Sequence, residues 1–390
     1  MNQMRFAEID LRNWKNFSKA KAALADRVFI VGPNASGKSN FLDAFRFLRD
    51  LVLDGGGLAK AVELREGLSK VRSLFARGVN TEVMVKVRLA NGEDAWDYEL
   101  AFTHRTLKDQ TPIVKRERVD RVGKNGQVQN LLSRPDDDDK SDRQQLTQTA
   151  IQQVNRNKNF REIVEFFRSV LYLHLVPQLV REGQLPRSNS IGADQYGRDL
   201  LDRVRNTTPR IREARLKGIQ KVIDLVASPL EDLTFVVDEH GRPHLQVKFK
   251  HWRPQGAYQN ETQFSDGTLR LIGLLWSLQE KAGPLLLEEP ELSLHPGVVK
   301  RLAPFIHRAQ RAGNGRQVIL STHSDDLLMD QGIAAEEVLL VRPTNEGSEV
   351  IVGASVKDVS RLMSAGIPAS EAVLPLTSMS QLSLFETADI

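Results

Sequence analysis

The stretch Val28–Phe29–Ile30–Val31–Gly32–Pro33–Asn34–Ala35–Ser36–Gly37–Lys38–Ser39–Asn40 decides the fold. Its first four residues form a short apolar, β-branched run, which reads as a buried strand feeding a loop. From Asn40 onward, Phe41, Leu42, Phe45, Leu48, Leu51 and Val52 recur at helical spacing. Between strand and helix, Gly32 to Ser39 fits G-x-x-x-x-G-K-[ST] in full and in the required context. The glycines let backbone N–H groups turn inward around a β-phosphate, and the following helix adds its positive end. Lys38 can reach the β- and γ-phosphates, and the Ser39 hydroxyl can ligate Mg²⁺. Gly32, Pro33, Asn34, Ala35, Ser36, Gly37, Lys38, Ser39 and Asn40 are therefore the expected nucleotide-binding residues. A chance glycine-rich turn is the plain alternative, and the strand–loop–helix context speaks against it.

Working outward, Pro284–Leu285–Leu286–Leu287–Glu288–Glu289–Pro290 is an apolar strand ending in two acids. A buried strand delivering carboxylates to Mg²⁺ and to attacking water has this form. Glu288 takes the metal-side position and Glu289 that of a general base. The plain alternative is a solvated acidic turn. Thr322–His323–Ser324 follows a further strand, Gln317 to Ser321, which places His323 where it could sense a γ-phosphate. Phe264–Ser265–Asp266–Gly267–Thr268 precedes a helix from Leu269, either as an anion site or as an ordinary N-cap.

In order, GPNASGKSN, FSDGT, LLLEEPELSLHP and STHSDDL resemble the RecF/SMC-like branch of ABC ATPases, and more narrowly the prokaryotic "AAA family, ATP-binding" ATPases. The opening Phe6 to Phe17 is similar to the first strand and loop of that branch, and the likeness spans roughly residues 1–345. It implies an α/β P-loop NTPase head: a mixed, mainly parallel sheet flanked by helices, with an antiparallel β lobe and a helical lobe. It implies ATP and Mg²⁺ as cofactors, ATP hydrolysis, and a head-to-tail homodimer closed around ATP. Catalytic roles fall to Lys38, Glu289 and His323, and metal contacts to Ser39, Glu288 and Gln178. Ser265, Asp266 and Gly267 correspond to the signature, where Ser265 and Gly267 would contact nucleotide held by the other copy. Leu171 to Gln178 looks like a Q-loop, Leu292 to Pro296 like a D-loop, and Arg12 or Lys15 would approach the nucleotide. Residues 179–264 are too few for a long SMC-like arm and carry no sustained heptads. Residues 324–390 leave no room for a TOPRIM domain, so nuclease activity is not expected of this chain.

The remaining segments set the organisation. Val83, Val85, Val87 and Leu89, then Trp96, Tyr98, Leu100 and Phe102, alternate about Asn91–Gly92–Glu93, an antiparallel hairpin. Residues 144–170 and 211–226 carry helical stripes. Asp136 to Lys140 reads as a solvated loop tip. The expected units are 1–178 (phosphate loop and β insertion), 179–263 (short arm), 264–364 (signature, acidic strand and histidine) and 365–390 (flexible tail). Within that tail, Gln381–Leu382–Ser383–Leu384–Phe385 matches the bacterial sliding-clamp-binding pentapeptide at all its positions. The alternative is a tail packed on its own domain.

The composition is that of a soluble globular protein: 390 residues, 41% hydrophobic and 27% charged. A net charge of +4 and a pI near 9.2 permit a nucleic-acid partner without demanding one. The absence of cysteine excludes disulfides, thiolate metal sites and cysteine nucleophiles, and fits a reducing cytoplasm, including the bacterial nucleoid. No signal peptide and no membrane-length apolar run are visible. The functional expectation is an ATP-driven switch in DNA repair, replication or anti-phage defence, acting on DNA, the clamp or a separate effector protein. The alternative is a clamp-tethered adaptor with a mainly structural ATP site. A membrane-transporter subunit is disfavoured by the β insertion and the SDGT signature.

Overall fold

The structure, a computed structural model, describes residues 4–76, 81–106, 108–182, 194–226, 230–249, 258–280, 283–312 and 315–377. The clamp-like stretch Gln381–Phe385 lies outside them. At the centre is a six-stranded sheet in the order Gly347–Val352, Val338–Thr344, Arg27–Val31, Val318–Thr322, Leu285–Glu288, Leu171–Leu173. Every neighbouring pair is parallel except the edge pair Gly347–Val352 and Val338–Thr344. The register sets Thr322 opposite Val31 and Glu288 opposite Ser321. The strand ends before the phosphate loop, at the acidic pair and before His323 therefore emerge along one edge of the sheet, where α/β folds place their ligands.

Side chains alternate across this sheet, and the alternation divides the core. Val28, Ile30, Leu286, Ile319, Leu339 and Val341 face one apolar cluster, whereas Phe29, Val31, Leu285, Leu287, Val318 and Leu320 face the other. On the first face the helix Lys38–Val52 is pressed between the central sheet and a six-stranded antiparallel sheet. That second sheet has the order Phe17–Ala23, Arg5–Trp14, Val83–Asn91, Asp94–His104, Pro112–Val122, Val128–Arg134. Twelve of the helix's 15 residues are buried, so it is enclosed on nearly all sides. Aromatic contacts knit the layers: Phe6–Phe45 at 4.8 Å, Trp14–Phe47 at 5.2 Å and Phe47–Phe102 at 5.4 Å between centroids. Each such ring contributes about 1.5–3 kcal/mol by burial, which makes this helix a rigid seat for the loop before it. The other face is covered by the helices Asp266–Gln279 and Pro209–Val226 and a three-stranded sheet, Leu230–Val237, Pro243–Phe249, Tyr258–Asn260.

Three local expectations need correction. Within 144–170 only Arg161–Arg168 is α-helical. Glu117 captures the backbone N–H groups of Ala150 (2.6 Å) and Ile151 (3.0 Å), and Arg134 donates to the carbonyls of Gln145 and Gln148. These bonds hold residues 143–160 in turns and 3₁₀ segments. The acidic run is solvated only in part: Asp137, Asp138 and Lys140 are exposed, but Asp137–Ser141 is a short helix, and Asp139 is buried and paired with Arg134 at 2.6 Å. The segment from Ala365 is not uniformly flexible, because Ala369–Val373 is a helix burying Ala369, Ala372 and Val373. No described helix is long and apolar enough to cross a membrane.

Candidate functional site

The loop between Arg27–Val31 and Lys38–Val52 is held by steric and polar constraints from several segments. Gly37 has φ +106°, and a Cβ there would lie 2.0 Å from the Asn16 amide nitrogen. A Cβ on Gly32 would lie 2.3 Å from the Val341 carbonyl oxygen. Both glycines are thus required by close backbone or side-chain approach. Asn16 braces the loop: its Nδ2 donates to the Ser36 carbonyl and to Ser348 Oγ, each at 2.7 Å, and its Oδ1 accepts from Asn40 at 2.9 Å. Ser348 Oγ donates to the same Ser36 carbonyl at 2.6 Å. Lys38, only 6% exposed, folds back to donate to the carbonyls of Gly32 (2.8 Å) and Pro33 (3.0 Å). Burial pushes its pKa down, against the pull of Glu289, Glu291 and Glu288.

Across from the loop stand the acids. Asn34, Ala35, Gly37, Lys38, Ser39, Asn40, Glu289 and His323 line one cavity of about 580 Å³. Ser39 Oγ donates to Glu288 Oε1, and the Tyr172 hydroxyl donates to Glu288 Oε2. Burial and then the Glu288 charge hold the Tyr172 hydroxyl protonated, well above its ordinary pKa. Glu289 sits in a left-handed turn at φ +43° and faces His323 Nδ1 at 3.3 Å. Among the described residues no cluster of three or more His, Asp and Glu forms a metal cage. The paired oxygens of Ser39 and Glu288 suit Mg²⁺ instead, which takes one or two protein oxygens and completes its shell from phosphates and water.

The Ser265 loop is elsewhere. Ser265 caps the helix Asp266–Gln279, its Oγ accepting from Thr268 N at 3.2 Å, and neither it nor Asp266 or Gly267 lines the Lys38 cavity. Gln178 belongs with this loop rather than with Ser39 and Glu288: its amide donates to Asp266 Oδ2 at 2.9 Å, while Arg181 donates to Asp266 Oδ1 at 2.7 Å. Lys15 does not approach the loop's phosphate side, because its ammonium is paired with buried Asp43 at 2.7 Å. Arg12 pairs with Asp10 at 3.7 Å. Sequence reasoning missed Asn16, Tyr172 and Glu291. Glu291, 7% exposed, accepts a hydrogen bond from Thr322 Oγ1 at 2.5 Å. Its spacing of two from Glu289 was the available signal.

A phosphate loop, an acid-tipped parallel strand and a histidine-tipped strand on one sheet edge define the fold of a P-loop nucleotide-binding head. The chain belongs to the family described as "AAA domain, putative AbiEii toxin, Type IV TA system", whose model matches residues 27–330. Its fold is similar to that of the Smc head domain with an extended coiled coil bound to the C-terminal domain of ScpA, from Pyrococcus furiosus. The TM-score is 0.51 and the identity 12%, over 90% of this chain and 96% of that one. The SMC head domain from Thermotoga maritima gives a TM-score of 0.44 at 16% identity, over 89% of this chain and 98% of that one. A local stretch is 37% identical over 67 residues to Endonuclease GajA of Bacillus cereus (strain VD045), covering 17% of this chain. It spans only 12% of that relative.

Proposed function

We propose that this chain is a Mg²⁺-dependent ATPase in which two copies close head-to-tail around ATP, hydrolyse it and reopen, acting as a switch in DNA metabolism or genome defence. The observation that carries the reading is the meeting of Lys38, Ser39, Glu289 and His323 on one cavity. In this reading Lys38 leaves the carbonyls of Gly32 and Pro33 for the β- and γ-phosphates, while the loop amides and the start of Lys38–Val52 hold the rest of the chain of phosphates. Ser39 and Glu288 would hold Mg²⁺, which would neutralise charge developing on the phosphoryl oxygens. Glu289 orients a water and accepts its proton, and His323 fixes that carboxylate and donates toward the γ-phosphate. Ser265 and Gly267, outside their own chain's cavity, would complete the other copy's site. The family description and the local likeness to an endonuclease both fit a role near nucleic acid or in defence.

Steady-state phosphate release on the full chain tests the reading. Lys38→Ala should abolish turnover. Glu289→Gln should abolish it as well, and should accumulate an ATP-dependent dimer visible by analytical ultracentrifugation. Wild-type turnover in Glu289→Gln would refute the assigned base, and negligible wild-type turnover with tight ATP binding would favour a structural nucleotide.

A further inference from the structure

Arg270 is one turn into the helix Asp266–Gln279 and only 8% exposed. Its Nε is buried without a hydrogen-bond partner, and no ion pair joins it to a described residue. The acids whose charge reaches it are, in order, Asp266, Glu291 and Glu289. Asp266 is already occupied, one oxygen by Gln178 and the other by Arg181. Glu291 is the complementary case. Its Oε1 is bound by Thr322, while its Oε2 is buried with no partner. The two segments touch: a Cβ on Gly267 would lie 2.6 Å from the Ser293 carbonyl oxygen. A buried guanidinium and a buried carboxylate oxygen, each unsatisfied in adjoining segments, are costly apart and compensate each other when joined.

We propose that Arg270 and Glu291 pair directly in the working form of the site, and that the pair is a positioning device for Glu289 and His323. This inference rests on the ATPase reading above. Glu291 is two residues beyond Glu289, in a loop whose Glu289 and Ser293 both have positive φ. Its carboxylate also grips Thr322, whose hydroxyl accepts from Ser324 N at 3.0 Å, so it already ties the Glu289 loop to both sides of His323. Adding Arg270 connects this clip to the helix that starts at Ser265. Movement at Ser265 is then transmitted to Glu289, with neither Arg270 nor Glu291 touching nucleotide.

The test measures phosphate release, with kcat and KM separated, for Arg270→Gln, Glu291→Gln and the double variant of the full chain. Mg·ATP binding by calorimetry and the melting temperature are followed in parallel. Each single substitution should lower kcat about 10- to 100-fold, the scale of a small misplacement of reacting groups, with KM and ATP affinity near wild type. The double variant should fall no further than the slower single, because the pair acts as a unit. Arg270→Lys, which keeps the charge but not the fork, should recover part of the rate. If Arg270→Gln does not fold, Arg270→Lys against Arg270→Met decides, and equal kcat values overturn the proposal. Wild-type kcat in Arg270→Gln, or a double variant losing the product of the two single effects, sinks this inference alone. A wild-type chain that releases no phosphate sinks the ATPase reading and this inference with it.

Discussion

Replacing Asn16 by Ala removes three hydrogen bonds from beneath the phosphate loop: two donated to Ser36 O and Ser348 Oγ, one accepted from Asn40. Such bonds are each worth about 0.5–1.5 kcal/mol net. The Ser36 carbonyl keeps the Ser348 hydroxyl and is not orphaned, so the total belongs near the low end, about 1–2 kcal/mol. If the loop must be re-formed to hold phosphate, the same energy weakens ATP binding about 5- to 30-fold. Asn16 also occupies the space where a side chain on Gly37 would go, its Nδ2 2.0 Å and Cγ 2.6 Å from the built Cβ. Gly37→Ala in the wild type therefore suffers a collision as well as the strain of φ +106°. In the Asn16→Ala background the collision is gone and only the strain remains. Calorimetric titration with a non-hydrolysable ATP analogue and Mg²⁺ across the four-member cycle should show Gly37→Ala costing clearly less in the second background, by at least ~0.5 kcal/mol. Wild-type affinity in Asn16→Ala, or equal costs for Gly37→Ala in both backgrounds, would refute the argument.

Two further substitutions read other parts of the molecule. Burial raises the Asp139 pKa, but the Arg134 hydrogen bonds, the Asp136 N–H and the charges of Arg134 and Arg156 outweigh it and hold it down to about 2. A depressed carboxylate pKa stabilises the fold above the unfolded value of 3.8 and loses that contribution as pH falls toward 2. Asp139→Asn should therefore cost about 2 kcal/mol at pH 7, with the deficit shrinking below pH 4; urea melts across pH check it, and a pH-independent deficit would count against the linkage. Gly267→Ala should force the Ser265 helix away from the Ser293 carbonyl, lowering Tm by several degrees and reducing phosphate release while the Lys38 loop still binds ATP. An unchanged melting curve would show that the approach of the two segments is not tight.

Segments whose pattern is local were readable in the chain itself. The strand at Val28–Val31, the helix after Lys38, the hairpin between Val83 and Phe102, and the acid-tipped strand at Leu285–Glu288 each announce themselves through period, turn residues or motif. The registry of the two central strands follows from their parallel pairing with Val318–Thr322, and that of the hairpin from its antiparallel turn. Two of the failures come from the capture of backbone or side chain by charge. Glu117 and Arg134 seize the peptide groups of 145–151, so a helical stripe at 144–170 yields turns. Arg134 also draws Asp139 out of a run that reads as solvated. Asn16 reaches Ser348 and Tyr172 reaches Glu288 across more than 100 residues of sequence, and an isolated Asn or Tyr carries no periodic signal. Gln178 follows a strand and a proline as a metal-contacting glutamine would, yet Asp266 holds its amide.

The proposed second copy at the site would fit its charge balance. The single-chain cavity opposes one ammonium, Lys38, to the fields of Glu288, Glu289 and Glu291. A triphosphate brings roughly four negative charges, and Mg²⁺ offsets about half of them. The amides of the phosphate loop and the N-terminus of Lys38–Val52 supply partial positive charge, but the Glu289 carboxylate still stands on the cavity wall. The missing positive pole is of the kind found at Ser265, an exposed hydroxyl at the N-terminus of a 14-residue helix that does not line its own chain's Lys38 cavity. Brought against the γ-phosphate of a partner, that helix end would supply the positive charge the cavity lacks. Closure would then depend on the γ-phosphate, and ADP, which lacks it, would leave the two copies with little to hold them together.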